Sequence, residues 1–441
     1  MLPNLLSLRS WRRVTATTGH DCTLYYQNLF GAHEMRFIGN GQDWPQWRGP
    51  SRNGTIPQTL PWPAKIPKAS WTTPVGIGYA SPIIADGRVY CMDRTAVQPA
   101  GLERIFALDQ VTGKLLWEYK YPSTFVAPDP TAGKGPNATP LYHQGTIFSL
   151  GLGGMMTAVD ARTGKLKWRH DCAKEYGGSE KMPGGGDANF PICGVSSSAL
   201  ADGDNVIFNV GGQKAGSIAS FRASDGVLQW SVLKEKGSYT SPVFTEMHGK
   251  QLLMSFSGKR LAGIDRGSKQ ILWDSPYTAM YEQTICNAIP VGNRLIISGE
   301  ARPTEAVDVQ LINGKYELKS AWKNAEMSTY MTNPVILDDA LVGFDMRSRR
   351  AICVAIATGA TLWTSPRIAK QIINVTLVGK HIVIVSDSGE VTVADASTKA
   401  WTPLYTYTIA EPGSLWSMPC FAGNQMVIRD QKSIRSWTLG A

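Results

Sequence analysis

At 441 residues the chain could hold about three ordinary domains, a prior that repeat folds routinely exceed. Charged residues make up 18%, below the usual ~25%, and 44 glycines are present, a composition that suits a turn-rich β protein. The net charge of +9 (44 basic minus 35 acidic) is spread without any Lys or Arg run, which argues against nucleic-acid binding, and no stretch approaches a membrane-spanning apolar helix.

The first 40 residues read as an N-terminal extension, either disordered or a misread leader with Met35 as the natural start. Leu2–Leu8 is too short for a signal-peptide core, and Arg9, Arg12 and Arg13 follow it rather than precede it. Residues 41–68 form a Trp- and Pro-rich leader containing Trp44, Trp47 and Arg48, expected to pack on the domain that follows.

From residue 69 to 441 two markers alternate. The first is a strand opening, often Ser-Pro or Thr-Pro, followed by an apolar run, a turn and a second apolar run. Ala80-Ser81-Pro82-Ile83-Ile84-Ala85-Asp86-Gly87-Arg88-Val89-Tyr90 is a clear copy, and Asp86-Gly87 suits a hairpin because glycine accepts positive φ. Further openings lie at Thr139, Ser198, Ser241, Asn287, Asn333, Asn374 and Met418, which makes eight. The second marker is the phrase Ala-Leu-Asp-Gln-Val-Thr-Gly-Lys-Leu-Leu-Trp, ending at Trp117 and returning at Trp168, with looser copies ending at Trp230, Trp273 and Trp363. Its Asp and Thr can bond turn backbone, and its Gly relieves the turn. Four strands per unit and eight units predict an all-β, eight-bladed β-propeller of four-stranded antiparallel blades.

The ends predict how the ring closes. Trp71 sits in a fourth strand with no blade before it, and Lys432–Leu439 is a third strand with no fourth after it. Pairing the N-terminal strand with the C-terminal blade removes an open edge. The fourth strands then carry Trp71, Trp117, Trp168, Trp230, Trp273, Trp322, Trp363 and Tyr405, large aromatics expected to wedge between blades rather than to hold a ligand.

In a propeller the first strands line the channel. Aligned openings give one column of small polar residues, Ser81, Thr139, Ser198, Ser241, Asn287, Asn333 and Asn374, ending in Met418. Small polar side chains there permit close strand approach and can bond neighbouring backbone; the alternative is that the same column forms a ligand-binding ring. Two residues earlier, on the same strand face, the column includes Tyr79, Asn137, Tyr239 and Trp416, and its irregularity marks it as the candidate channel mouth. Two long departures from the repeat, Tyr121 to Asn137 and Cys172 to Gly194 with Asp187 inside it, are expected to join the leader in capping one mouth.

Other chemistry is sparse. Seven cysteines contain no C-x-x-C pair; Cys172 and Cys193 flank a glycine-rich loop and could form a disulfide in an exported protein. The six histidines show no ligand spacing, and no serine elbow occurs, so no catalytic or metal-ligating residue is assigned.

The A-x-D-x-x-T-G-K-x-x-W phrase resembles the repeat of the pyrroloquinoline quinone (PQQ)-type propellers over residues 69–441. That superfamily includes quinoprotein alcohol dehydrogenases and the propeller lipoprotein of the outer-membrane β-barrel assembly machinery. Asp43 to Gly54 looks like the leader before many PQQ-like propellers of exported bacterial proteins. The resemblance implies a periplasmic or exported protein. The dehydrogenases typically carry adjacent cysteines against the quinone, calcium and an aspartate base; this chain has no Cys-Cys pair, and no calcium ligands can be matched. The expectation is a monomeric, non-catalytic scaffold in the cell envelope that binds a protein or polymer through one face. The alternative is a PQQ-dependent oxidoreductase of alcohols or sugars, with PQQ and calcium as cofactors.

Overall fold

Each Asp-x-x-Thr-Gly turn reverses the chain because its own side chains satisfy the turn backbone. Asp109 Oδ1 accepts the Thr112 N–H at 2.8 Å and its hydroxyl at 2.7 Å, and Asp160 does the same with Thr163 at 2.8 and 2.6 Å. The hydrogen bonds from these threonines hold both carboxyls below the usual range. Strands on either side of such turns pair antiparallel, and successive hairpins build a four-stranded sheet.

The computed structural model describes residues 43–95, 101–123, 135–177, 193–212, 216–280, 284–368 and 373–440, and also assigns strands at Arg12–Arg13, Asp21–Asn28 and Gly31–Ile38. Those three strands pair antiparallel in a sheet of their own. The remaining strands form eight blades. Their innermost strands, from blade 1 to blade 8, are Ile83–Ala85, Leu141–His143, Leu200–Asp202, Val243–Met247, Ile289–Val291, Val335–Leu337, Ile373–Val378 and Cys420–Ala422. Trp71–Pro74 is the outermost strand of blade 8, antiparallel to Ser433–Thr438 with Trp71 opposite Ser436, so the ring closes as the sequence ends predict.

The repeated aromatic is an inter-blade wedge. Trp71, Trp117, Trp168, Trp322 and Trp363 donate their ring N–H to carbonyls in the following blade, at Gln110, Ala161, Ala223, Ile356 and Ser397, over 2.9–3.0 Å. Lys269 of blade 4 lies 5.0 Å from the Trp230 ring of blade 3. The phrase glycine is fixed by two constraints at once. Gly164 has φ +71°, and a Cβ there would stand 2.5 Å from the Trp117 ring; Gly113, Gly226 and Gly359 meet Trp71, Trp168 and Trp322 at 2.5–2.7 Å. In blades 1 to 7 the register between the third and outermost strands slips just before this aromatic, so that Ala107 faces Trp117 while Leu108 faces Leu115. The extra residue is a β-bulge that aims the ring at the next blade. No pattern in the sequence signalled it.

Because strands alternate in direction, first-to-second and third-to-fourth turns share one face, here called lower. Second-to-third turns and the crossings between blades share the upper face. The core is sheet against sheet, as where Phe148, Trp168, Phe208 and Phe221 fill the space between blades 2 and 3.

The leader crosses the lower face from blade to blade. Trp44 pairs with Ile84 of blade 1 through two backbone bonds of 2.8 and 2.9 Å, and Pro45 accepts the Tyr142 N–H of blade 2. Thr55–Ile56 adds a parallel strand to the inner edge of blade 7, Thr55 facing Leu377. Trp62 stacks on Tyr407 and meets the edge of Phe421. This corrects the expectation that leader and long loops cap the same mouth. The described loop ends approach from the upper side, where Pro136 accepts the N–H groups of Tyr79 and Ala80 and Cys193 bonds Tyr239. The bodies of both loops, with Asp187, lie outside the described residues. Cys172 is a free thiol, so the disulfide with Cys193 that the sequence allowed does not form; Cys91, Cys286, Cys353 and Cys420 are buried free thiols as well.

Candidate functional site

The small polar column forms a belt. Thr139 N–H donates to Ser198 Oγ (3.0 Å), Ser198 N–H to Ser241 Oγ (2.9 Å), Ser241 N–H to Asn287 Oδ1 (3.2 Å), Asn287 N–H to Asn333 Oδ1 (2.7 Å) and Met418 N–H to Ser81 Oγ (2.9 Å). Each bond runs from one blade to the next, so it satisfies an inner-edge N–H that strand pairing leaves open. Ser81, Thr139, Ser198, Ser241 and Asn287 are buried, while Asn333 and Asn374 keep partial exposure. These side chains are occupied by neighbouring strands.

Above the belt lies the rim. Tyr79, Asn137, Tyr239 and Trp416 are all half-buried. The structure brings Tyr79 and Trp416 together edge to face at 5.2 Å, which spans blades 1 and 8. Asn137 Nδ2 donates to Ser196 Oγ at 3.1 Å, the Tyr239 hydroxyl accepts the Cys193 N–H at 2.9 Å, and Asn374 Nδ2 reaches the Trp416 carbonyl at 3.5 Å. Burial pushes the Tyr79 and Tyr239 hydroxyls up, so both remain protonated donors in the physiological range.

Below the belt, the leader fills the channel with cations. Arg52 donates to the carbonyls of Ala199 (2.6 Å), Ser198 (3.2 Å) and Pro242 (3.1 Å) and to Gln46 Oε1 (3.1 Å). Arg48 donates to the carbonyls of Pro334 (2.7 Å) and Asn53 (2.6 Å). Blades 3, 4 and 6 are thus joined across the axis by two guanidiniums. Trp47 lies beside both, with ring centroid 5.7 Å from the Arg48 carbon and 5.4 Å from the Arg52 carbon. Trp44, by contrast, is 1% exposed and packs on Phe421, which makes it a core residue. Arg52 and Gln46 were not singled out from the sequence. The repetition of Arg before or near glycine in Trp47-Arg48-Gly49 and Arg52-Asn53-Gly54 was the available signal.

A second polar cluster was also missed. On the upper side of blade 1, Glu103 is fully buried and accepts from Tyr121 (2.7 Å), Ser123 (2.8 Å) and the Leu152 N–H (3.2 Å). Burial nevertheless raises its carboxyl pKa. Asp93, fully buried, pairs with Arg104 and accepts the Gly76 N–H at 2.7 Å. Arg429 of blade 8 donates to the Gly76 carbonyl at 2.8 Å, tying the closing blade to the strand that enters blade 1.

Calcium takes six to eight oxygen donors and favours carboxylates. Among the described residues no group of three or more His, Cys, Asp or Glu side chains could hold a metal ion. The amide oxygens of Asn287 and Asn333 are engaged by neighbouring N–H groups. Among the described residues the donor set of this channel does not fit a calcium-held quinone. No helix among the described residues is long and apolar enough to cross a membrane.

Residues 62–182 and 103–365 match the family described as outer membrane protein assembly factor BamB. The solved structure of BamB from Moraxella catarrhalis shares the fold with a TM-score of 0.58 at 14% identity, covering 85% of this chain and 98% of that one. The dehydrogenase subunit of the quinone alcohol dehydrogenase of Acetobacter aceti is 26% identical over 202 residues, 44% of this chain and 25% of that subunit. The corresponding subunit from Gluconobacter oxydans is 25% identical over 253 residues, 54% of this chain and 31% of that subunit. The chain therefore spans about a quarter to a third of these dehydrogenase subunits.

Proposed function

The chain belongs to the PQQ-repeat propeller family of the outer membrane protein assembly factor BamB, and from that premise we propose that it is a non-catalytic binding scaffold of the bacterial envelope, engaging a protein partner through its upper face. The observation that carries this reading is the commitment of the channel. The belt side chains bond one another's strands and the leader occupies the lower mouth, while among the described residues the half-buried Tyr79, Tyr239 and Trp416 offer an aromatic surface at the upper mouth. Tyr and Trp supply large contact area with a polar handle, the composition expected of interface anchors. A photo-reactive residue placed at position 416 should capture an envelope protein in the producing bacterium. One placed at Val111, 81% exposed on the lower face, should not. Equal capture at both positions would remove the upper face from consideration.

The second reading is a PQQ-dependent oxidoreductase, favoured by the likeness to the quinone alcohol dehydrogenases. Titration with PQQ and calcium, followed by tryptophan fluorescence and by dye reduction with alcohols or sugars, separates the two. Tight binding with turnover would replace the scaffold reading. The scaffold reading expects neither.

A further inference from the structure

Two guanidiniums at the base of the channel have the chemistry of an anion receptor. Arg48 and Arg52 keep 5% and 8% of their surface. All their hydrogen bonds go to neutral acceptors, five backbone carbonyls and one side-chain amide, and among the described residues neither forms an ion pair with a carboxylate. The Nε of each is buried with no hydrogen-bond partner. Both residues hold positive φ, 60° and 54°, a conformation rare outside glycine that surrounding structure must enforce. Two like charges flanking one indole, out of water, are costly unless an opposite charge joins them. Burial pulls their pKa values down to about 10 and about 9.

The surroundings narrow the class of anion. Four acceptors take the terminal N–H groups of Arg52 and two take Arg48 Nη2, so the Nε–H of each residue and Nη1 of Arg48 are the charged donors left for a carboxylate. The belt above is made of neutral Ser, Thr and Asn side chains, which neither compete for the anion nor repel it. From the rim residue Tyr239 to Pro242, whose carbonyl holds Arg52, the inner strand advances three residues, about 10 Å at the usual rise. The aromatic rim suits an apolar or peptide stem, and the base suits its charged end.

We propose that Arg48 and Arg52, beside Trp47, form a carboxylate-binding site at the base of the channel, reached from the upper mouth by a carboxylate on a short stem. The carboxylate can be a small free acid or the C-terminus of a polypeptide. The site stands whatever becomes of the scaffold reading; only the polypeptide source rests on it. The test uses the full chain at fixed ionic strength. Butyrate is compared with butyramide, and a tetra-alanine peptide acid with its amide, by thermal unfolding and calorimetric titration. A saturable rise in melting temperature with butyrate assigns a free acid, and one with the peptide acid alone assigns a polypeptide end. In either case Arg52→Gln or Arg48→Gln should weaken binding at least about tenfold. Should those variants fail to fold, the acid-against-amide contrast on the unaltered protein still decides. Equal responses to acid and amide, or no response to any of the four probes, would overturn the site. The scaffold reading would be untouched, since cross-linking at position 416 tests it separately.

Discussion

The lower and upper mouths of the same channel are built from different material. At the lower mouth a single continuous segment, residues 43–70, runs across the blades and sinks Trp44, Arg48 and Arg52 into them, so the charges buried there are all positive and are solvated by carbonyls. At the upper mouth separate blades contribute the rim, Tyr79 from blade 1, Asn137 from blade 2, Tyr239 from blade 4 and Trp416 from blade 8. Those side chains stay half-buried, and the charges sunk nearby, Glu103, Asp93 and Arg429, carry both signs. A surface made by one added segment can only be rebuilt as a whole. A rim made of positions on separate blades can vary residue by residue without loosening the ring, which is why the proposed partner binding is assigned to it.

The widest test removes the strand that supports both mouths. Deleting residues 433–441 takes away the buried Ile434, Trp437 and Leu439 and leaves Trp71–Pro74 unpaired. At about 1.5–3 kcal/mol for each large side chain, the loss rivals the whole stability of a domain, so cooperative thermal unfolding should disappear. A truncated protein that melts like the full chain would disprove the closure. Next, the same residue type can be deleted at each mouth. Trp44→Ala should cost about 3–5 kcal/mol in urea unfolding, the price of a large buried aromatic. Gly164→Ala, on the lower face, forces a side chain into positive φ against the Trp117 ring and should cost about 2 kcal/mol or more.

The upper side offers a pH signature. The Glu103 carboxyl titrates above its ordinary 4.5 in the folded protein, so its contribution to stability is full below that pH and is lost as pH rises through the raised folded value. Glu103→Gln should remove this decline from the pH profile of unfolding free energy. An unchanged profile would mean that the group is not desolvated as the fold requires. The smallest effect is expected at Trp416→Ala, under about 1 kcal/mol in stability, with loss of partner capture instead. If it destabilised as much as Trp44→Ala, the two mouths would not differ in kind.

Much of this was legible along the chain. The Trp117 and Trp168 phrases, with their Thr-Gly turns, repeat because every blade solves the same local problem of turning a strand and wedging an aromatic against its neighbour. The belt was legible too, since Ser81, Thr139 and Ser198 recur at one position of the opening. The candidate site was less so. Tyr79, Tyr239 and Trp416 emerged as irregularities, whereas Arg52, Gln46 and Glu103 carried no repeat signature, because each meets partners specific to one place.

The sequence alone determined the blade count, the ring closure and the structural role of the wedge tryptophans, since these follow from short-range patterns that recur eight times and tolerate averaging. Only the tertiary structure decided which mouth the leader occupies and what its arginines touch. Arg52 meets carbonyls 146 and 190 residues away and Arg48 meets one 286 residues away. A backbone carbonyl is the same on every residue, so nothing in the identity of Ser198, Pro242 or Pro334 announces that a guanidinium will come to rest on it.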